Sequence, residues 1–135
     1  MTKGFAVAID GPAGSGKSSV AKALCEKFGF FHFDSGACYR AVAYYFWEKG
    51  MMDTQVIEYA DLSSVIKLEY NDGFLLLNGK MLGDEIRTPE ISSFTSDVST
   101  KQNVRCFVTE SIRRMIQGHH VIMDGRDIGS VESFF

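Results

Sequence analysis

This sequence has few prolines, tryptophans and cysteines, and its charges are not of one sign. It contains two prolines, one tryptophan and three cysteines in 135 residues. Cys25, Cys38 and Cys106 lie far apart and form no C-x-x-C pair, which predicts reduced thiols rather than disulfides or a zinc site. The charges nearly balance, with 14 basic and 17 acidic side chains. We therefore expect no broad electrostatic attraction to nucleic acid or to an anionic membrane.

Long hydrophobic runs are also lacking near the start of the sequence. The first apolar stretch, residues 5–9, ends at Asp10 and is too short for a signal peptide or a membrane span. The composition, with 45% hydrophobic and 23% charged residues, is that of one globular domain with its own core. We expect a cytoplasmic protein with neither a membrane partner nor an obligate protein partner.

The segment after this apolar stretch reads GPAGSGKS and matches G-x-x-x-x-G-K-[ST]. In that pattern, backbone NH groups surround the phosphates of a nucleoside triphosphate, the lysine contacts the β and γ phosphates, and the hydroxyl binds Mg2+. A helix that starts here adds its positive N-terminal dipole. Lys17 and Ser18 hold these two positions. The predicted phosphate-binding residues are Gly11, Pro12, Ala13, Gly14, Ser15, Gly16, Lys17, Ser18 and Ser19.

The surroundings of this segment distinguish a phosphate loop from a chance glycine-rich turn. Residues 5–9 predict a strand buried on both faces. Residues after the loop predict a helix, because Val20, Leu24 and Phe28 fall on one face at helical spacing and Gly29 ends it. Strand, loop and helix therefore follow in the order that a phosphate loop requires.

The rest of the sequence predicts an α/β fold with a small inserted sheet. Asn71-Asp72-Gly73 and Asn78-Gly79 divide one stretch into three short apolar runs, a pattern typical of a β-meander. An aromatic group on the second helix, residues 39–47, favours core packing over base stacking. The predicted elements are a strand at 30–33, a helix at 37–49, weakly helical residues at 53–64, the meander at 65–82, helices from Thr88 to about 100 and at 103–117, and a strand at 121–123.

A phosphate loop identifies a donor but not a reaction. Transfer of a phosphoryl group to a second anion needs cations that hold both partners, and three clusters contain candidates: residues 34–40, 96–105 and 124–127. Together, AIDGPAGSGKSSVAK, DSGACYR, DEIRTPEIS and MDGRDIGS closely resemble the bacterial cytidylate kinase family, in the same order and at similar spacing. The resemblance implies transfer from ATP, with Mg2+, to CMP or dCMP on a phosphate-loop nucleoside monophosphate kinase fold. It implies one kinase domain over residues 1–135 whose monophosphate-binding insert covers about 53–117.

The resemblance also assigns roles to residues of the second substrate site. Arg40 and Arg126 would hold the substrate phosphate, a role suited to a planar guanidinium. Lys17 and Arg126 would be the catalytic cations. Asp124, at the end of an apolar strand, would support Mg2+ together with Ser18. The residues that would line the pocket or read the cytosine edge are Ser35, Ser96, Arg105 and Asp127.

Each of these residues has a structural alternative. Arg40 and Arg105 could be solvated helix charges. Ser35 could cap a helix, Ser96 could be a small packing residue, and Asp124 could begin an Asp-Gly turn. The histidines lack the i, i+4 spacing of a metal-binding pair, so we predict no role for them.

Members of the resembled family continue beyond the length of this sequence, with two more core strands and a lid whose arginines close over both phosphates. We therefore expect a chain truncated at its C-terminus, in which residues 5–9 form an exposed apolar edge. A nucleotide-binding module with little or no transfer activity is the principal alternative function. A GTP-binding switch is disfavoured, because the sequence has no Asn-Lys pair and so no N-K-x-D motif.

Overall fold

The computed structural model describes residues 6–9, 27, 31–71, 74–117 and 121–124. The chain divides into two compact units, residues 1–36 with 112–135 and residues 37–111. Six strands are described: β1 Ala6–Ile9, β2 Phe31–Asp34, β3 Leu68–Asn71, β4 Phe74–Leu77, β5 Lys80–Met81 and β6 Val121–Asp124. The α-helices with described bounds are α1 Ser35–Glu48, α2 Thr54–Ile57, α3 Pro89–Val98 and α4 Gln102–Met115. The predicted first helix lies outside the described residues except for Lys27, which is helical.

The first unit contains a sheet of three strands in the order β1-β6-β2. β6 pairs in parallel with both neighbours, and Val121 is in register with Ala6 and with Phe31. Parallel strands require crossover connections, which explains why strands that are distant in the sequence are neighbours here. The predicted strand at 30–33 is displaced by one residue, and the strand predicted at 121–123 extends to Asp124.

The second unit contains the predicted meander, an antiparallel sheet in the order β3-β4-β5. Its second turn has a left-handed backbone at Asn78, with φ 50°, and at Gly79, with φ 84°, which is the conformation that a two-residue hairpin requires. The Asn78 side chain accepts a hydrogen bond from the Lys67 amide at 2.7 Å and donates one to the Val65 carbonyl at 3.1 Å. The sequence Asn-Gly therefore fixes both the turn and the approach to β3.

Helix α1 follows β2 without a loop and begins two residues before its predicted start. It ends at a left-handed glycine, Gly50, with φ 69°. The amide of Met51 donates to the Phe46 carbonyl, and the amide of Gly50 donates to the Trp47 carbonyl. This pattern is a Schellman motif, which satisfies the last carbonyls of the helix.

Helix α3 begins as the sequence predicts. The hydroxyl of Thr88 accepts a hydrogen bond from the Ile91 amide at 3.2 Å, and Pro89 occupies the first turn, where it loses no hydrogen bond. The helix ends at Val98, two residues before the predicted position.

Buried side chains from every part of the second unit form its core. Val104 and Val108 of the predicted apolar face of α4 are buried, whereas Phe107 is only half-buried. Of the predicted aromatic group, Tyr44 and Phe46 are buried but Trp47 is 41% exposed. The fully buried residues of this unit include Val42, Ile57, Leu68, Ile91, Val98, Val104 and Val108.

Candidate active site

The three strands of the parallel sheet end at the same level. Asp124, the last residue of β6, is in register with Ile9 of β1 on one side and with Asp34 of β2 on the other. We call this boundary, formed by Ile9, Asp34 and Asp124, the carboxyl edge. Open α/β sheets bind their ligands outside the carboxyl ends of their strands, so this boundary is the first candidate for a binding site.

Each strand leads into one of the predicted motifs at the carboxyl edge. The glycine-rich segment 11–19 follows β1, the DSGACYR segment begins with Asp34 at the end of β2, and DGRD begins with Asp124 at the end of β6. Segment 11–19, Arg126 and Asp127 lie outside the described residues. Sequence segments separated by more than a hundred residues thus leave the sheet from adjacent positions on one edge.

The carboxyl edge brings two aspartates to corresponding positions on neighbouring strands. Asp124 is the predicted Mg2+-supporting residue, and it ends the strand that pairs directly with β1. Asp34 was not among the predicted site residues, although it is half-buried at the matching position of β2. Asp34 is the first residue of the DSGACYR motif. That position could have identified it from the sequence as a candidate site residue. Ser35, the next residue, begins α1 and is half-buried.

Arg40 lies on α1 in the second unit, where its side chain is half-buried. Its Nε atom is buried and has no hydrogen-bond partner among the residues that the structure describes. A buried polar atom without a partner is costly. An anionic ligand bound to this guanidinium would supply an acceptor for Nε, and the phosphate contact stays a prediction.

Arg105 lies on the exposed side of α4 and interacts with an aromatic residue of α1. Burial raises the pKa of the Tyr39 phenol, and the Arg105 guanidinium opposes part of that rise. The Tyr39 hydroxyl therefore stays protonated at neutral pH and remains a hydrogen-bond donor. Tyr39 belongs to the aromatic group for which the sequence favours core packing over base stacking, and it is half-buried.

Ser96 lies on α3 and is exposed. Its hydroxyl donates to the Ser92 carbonyl one turn earlier, at 3.3 Å. A hydroxyl that donates within its helix retains lone pairs, so Ser96 can still accept a hydrogen bond from an amino group such as that of cytosine.

The described residues contain neither a group of metal-ligating side chains nor a membrane-spanning helix. In that part of the chain no three His, Cys, Asp or Glu residues are grouped so as to hold a metal ion. None of the described helices is both long enough and apolar enough to cross a bilayer.

A parallel sheet whose carboxyl edge leads into a phosphate-loop sequence defines an α/β protein of the nucleotide-binding class. Within that class, the family model described as Cytidylate kinase matches residues 7–132. The chain belongs to the cytidylate kinase family, as the motifs predicted. This family implies a phosphate-loop nucleoside monophosphate kinase fold.

Curated relatives agree with this assignment. The chain is 44% identical over 125 residues to a cytidylate kinase of Thermosipho africanus, covering 93% of this chain and 55% of the relative. It is 40% identical over 129 residues to one of Thermotoga neapolitana, covering 95% and 59%. It is 44% identical over 127 residues to one of Pseudothermotoga lettingae, covering 94% and 56%. The chain thus spans just over half the length of the curated relatives that it matches.

Proposed function

We propose that this chain carries the donor loop and the monophosphate-binding region of a cytidylate kinase, which transfers the γ-phosphoryl group of ATP to CMP or dCMP. The observation that carries the proposal is the carboxyl edge, where β1, β2 and β6 end in register just before the three family motifs. In this proposal the parallel strands form the core of one kinase domain, and residues of about 53–117 form the monophosphate-binding insert. The enzyme would act in the cytoplasm on small-molecule nucleotides.

At the donor side, the backbone of segment 11–19 would hold the phosphates of ATP. Lys17 and Arg126 would stabilise the charge that develops during transfer. The chemistry of the donor set fits Mg2+, because Asp124 provides a carboxylate next to the strand that precedes Ser18, and Mg2+ prefers oxygen ligands. Bound Mg2+ would neutralise phosphate charge.

At the acceptor side, Arg40 and Arg126 would hold the CMP phosphate, with the unpartnered Nε of Arg40 as one donor. Ser96, Arg105 and Asp127 would read the cytosine, and Ser35 would line the pocket. A carboxylate, a guanidinium and a hydroxyl complement the amino group, ring nitrogen and carbonyl of this base.

A coupled assay of ADP release with CMP, dCMP, UMP and AMP tests this proposal. We expect turnover with CMP or dCMP and little with the other two. A clear preference for UMP or AMP would remove the cytosine-reading roles of Arg105 and Asp127.

A nucleotide-binding module without transfer activity is the second candidate, since a phosphate loop identifies a donor but not a reaction. It predicts ATP binding without CMP-dependent turnover. Lys17→Ala abolishes ATP binding under both proposals. Arg40→Ala weakens the binding and turnover of CMP only if the chain is a kinase. Comparing these two variants by calorimetry with MgATP and with CMP separates the candidates.

A further inference from the structure

Helix α1 carries three polar or aromatic side chains at successive turns: Arg40, Tyr44 and Glu48. Residues four apart lie on one side of a helix with their Cβ atoms about 6 Å apart. Because helical side chains lean toward the N-terminus, Glu48 covers the turn of Tyr44, and Tyr44 covers the turn of Arg40. Tyr44 and Arg40 are therefore neighbours on one side of α1.

The Tyr44 ring is held by contacts with a different element. Only 7% of Tyr44 is exposed, and the ammonium of Lys80 lies over its ring, with Nζ 5.7 Å from the ring centroid. Lys80 is the first residue of β5 and pairs with Leu77 of β4. This cation–π contact connects the meander to α1.

Two carboxylates complete the surroundings of this contact. The Tyr44 hydroxyl donates a hydrogen bond to Glu48. Backbone NH groups of Glu85 and Gly83 hold the pKa of the Glu85 carboxyl below its usual value, and Lys80 lowers it further. The Lys80 ammonium thus lies over the Tyr44 ring, and its charge favours the ionised form of the Glu85 carboxyl.

We propose that Tyr44, held by Lys80, is a positioning residue that orients the Arg40 guanidinium for a phosphate group. The buried Nε of Arg40 has no hydrogen-bond partner among the described residues, and Tyr44 lies one turn away on the same side of α1. The inference rests on the proposed function, because it takes Arg40 to be the ligand of the CMP phosphate.

The test compares the affinities of CMP and of cytidine, which lacks the phosphate, for variants of the 135-residue chain. Calorimetry or NMR titration measures both. Tyr44→Leu keeps an apolar side chain but removes the ring, and we expect its CMP affinity to fall about tenfold, as for coupled neighbours. Cytidine affinity stays unchanged, because cytidine makes no phosphate contact. Tyr44→Phe retains the ring and retains CMP affinity.

A double-variant cycle tests whether Tyr44 acts through Arg40. In the Arg40→Ala background, Tyr44→Leu causes no further loss of CMP affinity, because the residue that it positions is absent. A further loss in that background, or an equal loss of CMP and cytidine affinity, overturns the inference.

Should Tyr44→Leu fail to fold, a change of Lys80 is a milder variant, and Lys49, the residue after α1, provides a matched control. Lys80→Gln lowers CMP affinity about threefold, the size of an exposed cation–π contact. Lys49 makes the same contact with Tyr45, at 5.6 Å, but Tyr45 is not one turn from Arg40, so Lys49→Gln leaves CMP affinity unchanged. Equal effects of the two lysine variants overturn the inference.

Failure of the proposed function gives a different result. If the wild-type chain does not bind CMP, or if Arg40→Ala binds it as the wild type does, the proposed function is wrong. If Arg40→Ala weakens CMP binding while Tyr44→Leu and Lys80→Gln do not, only the positioning role is wrong.

Discussion

Asn103 connects the start of α4 to the end of α2 through side-chain hydrogen bonds. Its Nδ2 donates hydrogen bonds to the carbonyls of Ile57, at 2.8 Å, and Ala60, at 3.1 Å. Carbonyls at the end of a helix lack partners within the helix, and here a side chain from another helix provides them. Lys101 and Glu58 add an ion pair at 3.7 Å beside this contact.

We predict that Asn103→Ala lowers the free energy of unfolding by about 1 to 3 kcal/mol, because it removes two part-buried hydrogen bonds, those to the Ile57 and Ala60 carbonyls. Urea denaturation measures the change. Gln102→Ala, at the exposed preceding position, is the matched control and changes it by no more than about 0.5 kcal/mol. Equal effects of the two variants would show that the Asn103 hydrogen bonds contribute nothing specific.

Tyr44 gives the stability of the fold a dependence on high pH. The hydrogen bond to Glu48, then burial, then the charges of Glu48 and Glu85 raise the pKa of Tyr44 to about 12 from its usual 10.0. Because the folded-state pKa is the higher one, the protonated phenol stabilises the fold. This contribution is complete below the unfolded pKa, near 10.0, and is lost as the pH rises through about 12.

Tyr44→Phe removes that contribution at every pH. We therefore predict that the stability advantage of the wild type over Tyr44→Phe shrinks as the pH is raised from below 10.0 toward about 12. Urea unfolding of both chains across this range measures it, and the titration of other tyrosines and of lysines cancels in the difference. A constant advantage would contradict the assigned pKa.

At the scale of the element, the turn between β4 and β5 depends on its backbone conformation. An added Cβ at Gly79 would meet no atom within 4 Å, so a substitution there costs backbone strain rather than a clash. We predict that Gly79→Ala lowers the free energy of unfolding by about 1 to 2 kcal/mol. Gly79→Asn costs less, because asparagine enters the left-handed region more readily. Equal losses in urea denaturation would be evidence against this explanation.

Helices and turns that have a local sequence pattern could be predicted from the sequence. The junctions between elements, and the contacts between distant elements, were harder to predict. Thr88-Pro89 and Asn78-Gly79 predicted a helix start and a hairpin correctly, because neighbouring residues decide both. The helix predicted from residue 37 begins at Ser35, where the sheet passes directly into α1. The contacts of Asn103 with Ile57 and Ala60 span more than forty residues, and no local pattern predicts them.

The same distinction holds for the candidate site. Motif spacing identified Arg40, Ser96 and Arg105, whereas the effect of Arg105 on Tyr39 depends on how α1 and α4 fold. The predicted roles of these residues and the boundaries of the insert stay predictions until variants are measured.

The strand order bears on whether copies of this chain associate with one another. Among the described strands, β1 pairs only with β6, and its sequence, AVAI, is apolar. Unpaired strand backbone is a template for pairing with another chain. We predict concentration-dependent association in light scattering coupled to size exclusion, with little effect of added salt, because backbone pairing and apolar contact carry it. A compact monomer at all concentrations would contradict this prediction.

The position of β6 has a consequence for how this protein is made. β1 and β2 come early in the chain, but β6 separates them and begins only at Val121. During synthesis the two early strands have no central partner until the ribosome has released that late segment, and such long-range closure is slow. The newborn chain therefore holds β1 and β2 without their shared partner until residues 121–124 have been synthesised.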